Sequence, residues 1–255
     1  MSNRLITKVD EGTGQRTLVL LHGLGNNHES WTHVLEAINK DNCRVIVPDL
    51  LGFGDSPKPE ILYSPEDHAN AVIDLLDAMG VRDVILAGHS MGCIVAIQVA
   101  KMRPDIAKHL VLLGAPLYRT MPKQGFFAKL RHAESMYFTI FSFIKKNPNI
   151  TIASASAADK LLPLLKGMQI TEETWPAFTA SLNNTIMQLQ SYKDMLALTT
   201  PTMLIYGKLD FFVIKRNLKN IARKNKKYVK FKTVLGPHEI TPQQGELIAE
   251  ILQEV

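Results

Sequence analysis

The stretch from Val84 to Met102 limits what this chain can fold into more than any other. Val84-Ile85-Leu86-Ala87 is a short continuous apolar run, the pattern of a strand buried on both faces. Cys93 to Met102 is a second run, with the length and composition of a buried helix. Only Gly88-His89-Ser90-Met91-Gly92 separates the two. A strand that turns straight into a helix crowds its backbone at the corner. Gly88 and Gly92 lack a Cβ and let the elements approach. Ser90, between them, is pushed into a strained conformation that presents its Oγ. The amide of Met91, at a helix N-terminus, can face a developing negative charge.

The same alternation extends along the chain. Arg4 to Val9 predicts an edge strand, and Thr17 to Leu21 a buried one that ends at His22-Gly23-Leu24-Gly25-Asn26-Asn27. Glycines at a strand's C-terminal end let amides turn inward, where open α/β sheets keep their sites. Glu29 to Ile38 reads as a helix, Arg44 to Asp49 as a strand, and Leu51 to Pro57 as its glycine-rich exit loop. Ser64-Pro65-Glu66-Asp67 opens a helix to about Met79, with Ser64 as cap and Pro65 at the first position. His109 to Leu113 is another strand. From Leu117 to Thr199 no strand is predicted; helices are predicted near Gly125–Lys145, Ala155–Leu165 and Glu172–Leu189. Strands return at Thr202–Gly207 and Tyr228–Val234, with a helix over Ile214–Arg223 and a last one from Thr241-Pro242 to Val255. The pattern predicts an α/β protein with a mostly parallel, doubly wound sheet. Residues 1–116 and 200–255 would form the core, and 117–199 a helical insertion folded over its active edge.

With 255 residues, 46% of them hydrophobic, the chain can bury one large core. No long apolar segment follows Met1-Ser2-Asn3-Arg4, and no stretch has the length of a membrane span. Cys43 and Cys93 are too few for a disulfide framework, and no Cys/His spacing suggests a metal. The expectation is a cytoplasmic protein with no metal or other cofactor. The +5 charge gathers in Lys215 to Lys232, a run with no acidic residue between Phe211 and His238. It reads first as a solvated face; contact with an anionic membrane surface is the second reading. Without interleaved aromatics it does not suggest nucleic acid.

Three candidate groups follow the C-terminal ends of buried strands: Ser90, Asp210 and His238. A serine hydroxyl is a poor nucleophile at neutral pH. It needs a general base within hydrogen-bond reach, and the base needs an orienting carboxylate. The chain resembles α/β-hydrolase-fold serine hydrolases of the capped esterase and carbon–carbon hydrolase branch. His22-Gly23-Leu24-Gly25 is similar to their oxyanion loop, Asp49 to Ser56 to their D-x-x-G-x-G-x-S loop, and Gly88 to Gly92 to their nucleophile elbow. Gly207-Lys208-Leu209-Asp210 is similar to their acid loop, and Gly236-Pro237-His238 stands where a Gly-His pair is usual. The resemblance implies a cap inserted after the sixth strand. It implies Ser90 as nucleophile, Asp210 and His238 as its partners, and the amides of Leu24 and Met91 as oxyanion donors.

His22, Gly23 and His89 are expected beside the substrate, as are Tyr137, Phe138 and Trp175 from the insertion. His28, His33, His68, His109 and His132 read as surface or loop residues. Haloalkane dehalogenases and epoxide hydrolases share the resemblance but carry Asp where this chain has Ser90. Carbon–carbon hydrolases usually place an aromatic residue after the base, where Glu239 stands here. The expected activity is hydrolysis of a small, largely apolar carboxylic ester or thioester. A carbon–carbon hydrolase and a non-catalytic ligand-binding protein on the same fold are the alternatives. Phenylalanines and methionines concentrated in the insertion, and no arginine pair there to clamp a dicarboxylate, favour an apolar pocket.

Overall fold

The computed structural model of the protein describes residues 4–120, 141–156 and 168–255. Seven strands form one sheet in the order β1-β3-β2-β4-β5-β6-β7: Thr7–Glu11, Arg16–Leu21, Cys43–Pro48, Val84–His89, Ala107–Leu113, Thr202–Gly207 and Val229–Val234 for β1 to β7. Only β1 is antiparallel to its neighbour; the others pair in parallel. The edge strand starts three residues later than the sequence pattern predicts. Ile6 gives its N–H instead to Ser56 Oγ, at 2.8 Å.

Successive side chains of a strand point to opposite faces, and both faces of this sheet are covered. Leu18 and Leu20 of β2 and Val45 and Val47 of β3 meet Trp31, Val34, Ile248 and Leu252 on one face. These come from the α1 region (Thr32–Ala37, led in by a 3-10 turn at His28–Trp31) and from α8 (Pro242–Glu254). Val19, Leu21 and Ile46 face the other way. They join a core with Val72, Leu75 and Leu76 of α2 (Pro65–Ala78) and Ile94 and Val95 of α3 (Met91–Met102). Residues Met91 to Ala100 of α3 are all buried, as the apolar run predicts. Ser64 caps α2 reciprocally with Asp67.

The chain leaves β2 toward β3 and leaves β4 toward β5, so connections diverge between adjacent strands β2 and β4. Open α/β sheets place their sites at such a point, outside the strands' C-terminal ends.

The insertion follows the fifth strand of this chain, not the sixth, because a single strand precedes β2. Its described helices are 141–146, α4 (Pro148–Ser156), α5 (Trp175–Ser181) and α6 (Gln190–Ala197). Most of the predicted helices over Gly125–Lys145 and Ala155–Leu165 lies outside the described residues. The predicted helix over Glu172–Leu189 is interrupted. α5 widens into a π-helical turn at Leu182–Ile186, whose Asn184 Nδ2 and Thr185 Oγ1 donate to the Leu62 and Tyr63 carbonyls. Gln188 Oε1 then accepts from the amides of Gln190 and Ser191 and starts α6, which the sequence pattern missed.

Two histidine readings need correction. His68 is not a surface residue: it is buried on α2 with Nε2 3.0 Å from Ser181 Oγ of the insertion. His109 lies within β5, half-buried. His132 lies outside the described residues. α7 (Lys215–Lys224) completes the helices and packs its Leu218 and Ile221 into the core.

Candidate active site

Ser90 occupies the corner between β4 and α3 with φ 52° and ψ −116°, a left-handed strained conformation. The crowding that calls for flanking glycines is measurable. A Cβ on Gly92 would lie 2.1 Å from the Leu21 carbonyl oxygen, and one on Gly88 2.5 Å from the Gly92 carbonyl. The Ser90 amide is tied to the Leu113 carbonyl at 2.9 Å. Cys93 donates its thiol to the Gly88 carbonyl at 3.0 Å. Burial pushes that thiol's pKa well up, so Cys93 stays a protonated packing group.

Asp210 follows β6 and His238 follows β7, two strands paired in parallel. Asp210 Oδ2 lies 2.8 Å from His238 Nδ1, while Oδ1 accepts from the Phe212 amide at 2.8 Å. Asp210 is buried and His238 nearly so. With Nδ1 engaged, Nε2 is the ring nitrogen left for other partners. The imidazole packs against the rings of Phe212 and His89, both tilted to it, with centroids at 4.8 and 4.9 Å.

The His238 loop is pinned twice more. Gln244 Nε2 donates to the Pro237 carbonyl at 3.2 Å, and His89 Nε2 to the His238 carbonyl at 2.8 Å. Gly114, at φ 64°, leaves space below: a Cβ there would lie 3.2 Å from both Asp210 Oδ2 and His238 Nδ1. Gly114, Phe212 and Gln244 join the site although no catalytic motif of the sequence includes them. The capping-box spacing from Thr241 to Gln244 was the available signal for the last.

Gly23 and Leu24 lie beside Ser90. A Cβ on Gly23 would stand 3.2 Å from Ser90 Cβ, so glycine lets this loop close on the serine. Met91 is the first residue of α3, where amides have no partner within the helix. His22 does not reach the cavity. Its Nε2 accepts from the Leu50 amide and its Nδ1 donates to the Gly23 carbonyl, both at 2.8 Å. Complete burial pulls its pKa down to about 4 and keeps it a neutral bracket between two loops. His28, read as a loop residue, serves a similar purpose: its amide and Nδ1 both lie 2.9 Å from Asp49 Oδ1. Burial works against the Asp49 charge. Hydrogen bonds from the Asp55 and His28 amides nevertheless hold its carboxyl below the usual range.

A cavity joins Gly23, Leu24, His89, Ser90 and His238, and its apolar wall includes Tyr118, Phe141, Met168, Ile186 and Phe212. Trp175 is not in that wall. It stacks on Phe178 at 5.6 Å and packs, half-buried, against the core. Tyr137 and Phe138 lie outside the described residues. Among the described residues, no group of His, Cys, Asp or Glu is arranged to hold a metal ion. No described helix is long and apolar enough to cross a membrane.

A family model described as the alpha/beta hydrolase fold matches residues 16–240, from β2 past His238. The chain belongs to the alpha/beta hydrolase fold family. An uncharacterised protein of Mycobacterium tuberculosis is 40% identical over 98 residues, which is 38% of this chain. The match spans only 28% of that protein's length. Epoxide hydrolase 4 of Mus musculus is 27% identical over 266 residues, covering 92% of this chain and 71% of its own. Among solved structures, a thermophilic esterase from Thermogutta terrifontis superposes with TM-score 0.73 over 98% of this chain and 92% of its own. At 22% identity that likeness is one of fold. In this chain the family match includes both the Ser90 corner and the Asp210–His238 pair.

Proposed function

We propose that the chain is a serine hydrolase acting on a small carboxylic ester or thioester with an apolar acyl portion. One observation carries the reading. Ser90, strained at the strand-to-helix corner, lines the same cavity as His238, whose Nδ1 is 2.8 Å from the buried Asp210 carboxylate. In this reading the Ser90 Oγ attacks the carbonyl as His238 Nε2 takes its proton. Asp210 holds the imidazole tautomer and stabilises the imidazolium. The Leu24 and Met91 amides take the oxyanion. His238 returns the proton to the leaving group, and water, activated by the same imidazole, releases the acid from Ser90.

Ser90 stands where epoxide hydrolases, by the resemblance drawn above, carry Asp, so epoxide opening through an aspartyl ester is not proposed. Insertion residues Phe141, Met168 and Ile186 would act as the cap over the acyl group. Glu239 lies in the lining, and no Lys or Arg is among the described lining residues; both favour an uncharged reacting end over a dicarboxylate. The test is a fluorophosphonate probe with p-nitrophenyl butyrate as reporter. The expected result is loss of turnover together with one adduct, placed on Ser90 by mass spectrometry. An adduct elsewhere, or full activity in Ser90→Ala, overturns the reading.

A further inference from the structure

A second cavity of about 440 Å³ is lined by Arg119, Arg216, Asn217, Lys219, Asn220 and Arg223. It shares a wall with the Ser90 cavity. Tyr118 lines one and the next residue, Arg119, lines the other, so the two linings meet along the chain at a single peptide bond. Asn217, itself buried, fixes that wall by donating Nδ2 to the Leu117 carbonyl at 2.9 Å. On the far side, Phe212 lines the Ser90 cavity just before α7, which supplies Arg216, Lys219 and Arg223.

The charge arrangement is one-sided. Arg216, Lys219 and Arg223 fall at helical spacings of three and four, where like charges repel. No acidic residue occurs from 212 to 237, and among the described residues none of the four cations is ion-paired. Arg223 instead donates to Asn220 Oδ1 at 3.0 Å. Four cations around a cavity larger than a monatomic ion suit a phosphorylated ligand, since guanidinium forks match phosphate oxygens.

We infer that this groove binds the phosphate of the substrate's leaving group, making the substrate an acyl ester or thioester of a phosphorylated alcohol or thiol. The inference rests on the ester-hydrolase reading above. The acyl chain lies in the apolar cavity, the carbonyl at Ser90, and the anionic portion passes Tyr118 into the groove. The acyl–Ser90 bond forms, the acyl C–O or C–S bond breaks, and the leaving oxygen or sulfur takes the proton from His238. Water completes release of the acid, and the phosphate ester is untouched.

The experiment compares matched pairs in the full chain and in the double variant Arg216→Glu/Lys219→Glu. The pairs are butyryl-coenzyme A against S-butyryl-N-acetylcysteamine, and butyryl glycerol 3-phosphate against butyryl glycerol; a thermal midpoint checks folding. The wild-type protein should prefer the phosphorylated member of at least one pair by about tenfold in kcat/KM, and the variant should lose that preference. The pair showing it separates a soluble nucleotide-bearing thioester from a phosphoglyceride ester. Inorganic pyrophosphate, titrated by calorimetry, should bind the variant about tenfold more weakly than the wild type, and both more weakly as salt rises. Equal preference in the two proteins overturns the substrate assignment, and unchanged pyrophosphate binding overturns the groove. No turnover of any of these esters would instead overturn the ester-hydrolase reading, whatever pyrophosphate does.

Discussion

Around Ser90, spacing is set by backbone against backbone. A Cβ on Gly92 would meet the Leu21 carbonyl oxygen at 2.1 Å, and neither atom can swing away. Around His238, spacing is set by side chains. Asp210 and His89 hold the histidine by hydrogen bonds, Phe212 by a tilted ring contact, and Gln244 ties its loop. At Gly114 an added Cβ would meet side-chain atoms at 3.2 Å, not backbone. The corner at Ser90 is therefore intolerant but self-contained. The Asp210–His238 half can be adjusted, and it depends on β5, β6, β7 and α8 arriving together. One half fixes the backbone that carries a hydroxyl through chain geometry; the other fixes an imidazole through side-chain contacts.

The largest expected effect joins the two halves. If Ser90 and His238 act as a unit, Ser90→Ala and His238→Ala should each lower kcat by about 10⁴-fold or more, and the double variant hardly further. Single-turnover kinetics on a p-nitrophenyl ester would measure this; additive losses would show that the halves do not cooperate.

Next comes the contrast in tolerance. Gly92→Ala should cost roughly 4 kcal/mol or more, since overpacking against backbone has no relief. Gly114→Ala should cost only about 1–3 kcal/mol for its left-handed backbone, yet lower activity by displacing His238. Urea midpoints alongside kcat/KM would separate stability from activity in each variant.

Acid should probe the buried histidines that surround both halves. Burial depresses the pKa of His22 and His68 to about 4 and of His89 to about 3, where the neighbouring His238 also contributes. Below about pH 6.5 the unfolded chain takes up protons on these rings that the folded protein refuses, so stability falls as pH drops toward 4. At pH 5 each should cost roughly 2 kcal/mol relative to pH 8. His68→Asn, remote from Ser90, should remove about a third of that acid sensitivity, read as the change in urea midpoint between the two pH values. An unchanged pH dependence would mean that His68 is not held neutral.

The smallest effect tests the apolar wall. Each methylene added to the acyl chain should raise kcat/KM by about fourfold, or ~0.8 kcal/mol, until the pocket fills. Acetate, butyrate, hexanoate and octanoate esters form the series. A monotonic fall from acetate would show that Phe141, Met168 and Ile186 do not receive the acyl group.

What the sequence determined by itself is what local covalent constraint determines. Two apolar runs split by Gly88 and Gly92 admit little but a sharp strand-to-helix corner, because a Cβ at either glycine collides with backbone. Ser64-Pro65-Glu66-Asp67 specified a capped helix within one turn of chain. The alternation of runs specified a mostly parallel sheet, and the position of Asp210 and His238 after their strands placed both at one edge. Tertiary structure alone decided everything carried by atoms distant in sequence. His68 read as a surface residue because its neighbours on α2 are mixed, and only Ser181, 113 residues away, shows why it is buried. Trp175 suited a pocket by residue type, but the rotation of α5 turned it to Phe178. The interruption at Leu182–Ile186 answers to carbonyls at Leu62 and Tyr63, which no local propensity registers. Arg119, from the start of the insertion, joins three of α7's cations around one cavity, a grouping that the run from Lys215 to Lys232 does not contain by itself. Side-chain burial and charge clustering are sums over the whole fold, whereas a steric corner is settled within a few bonds.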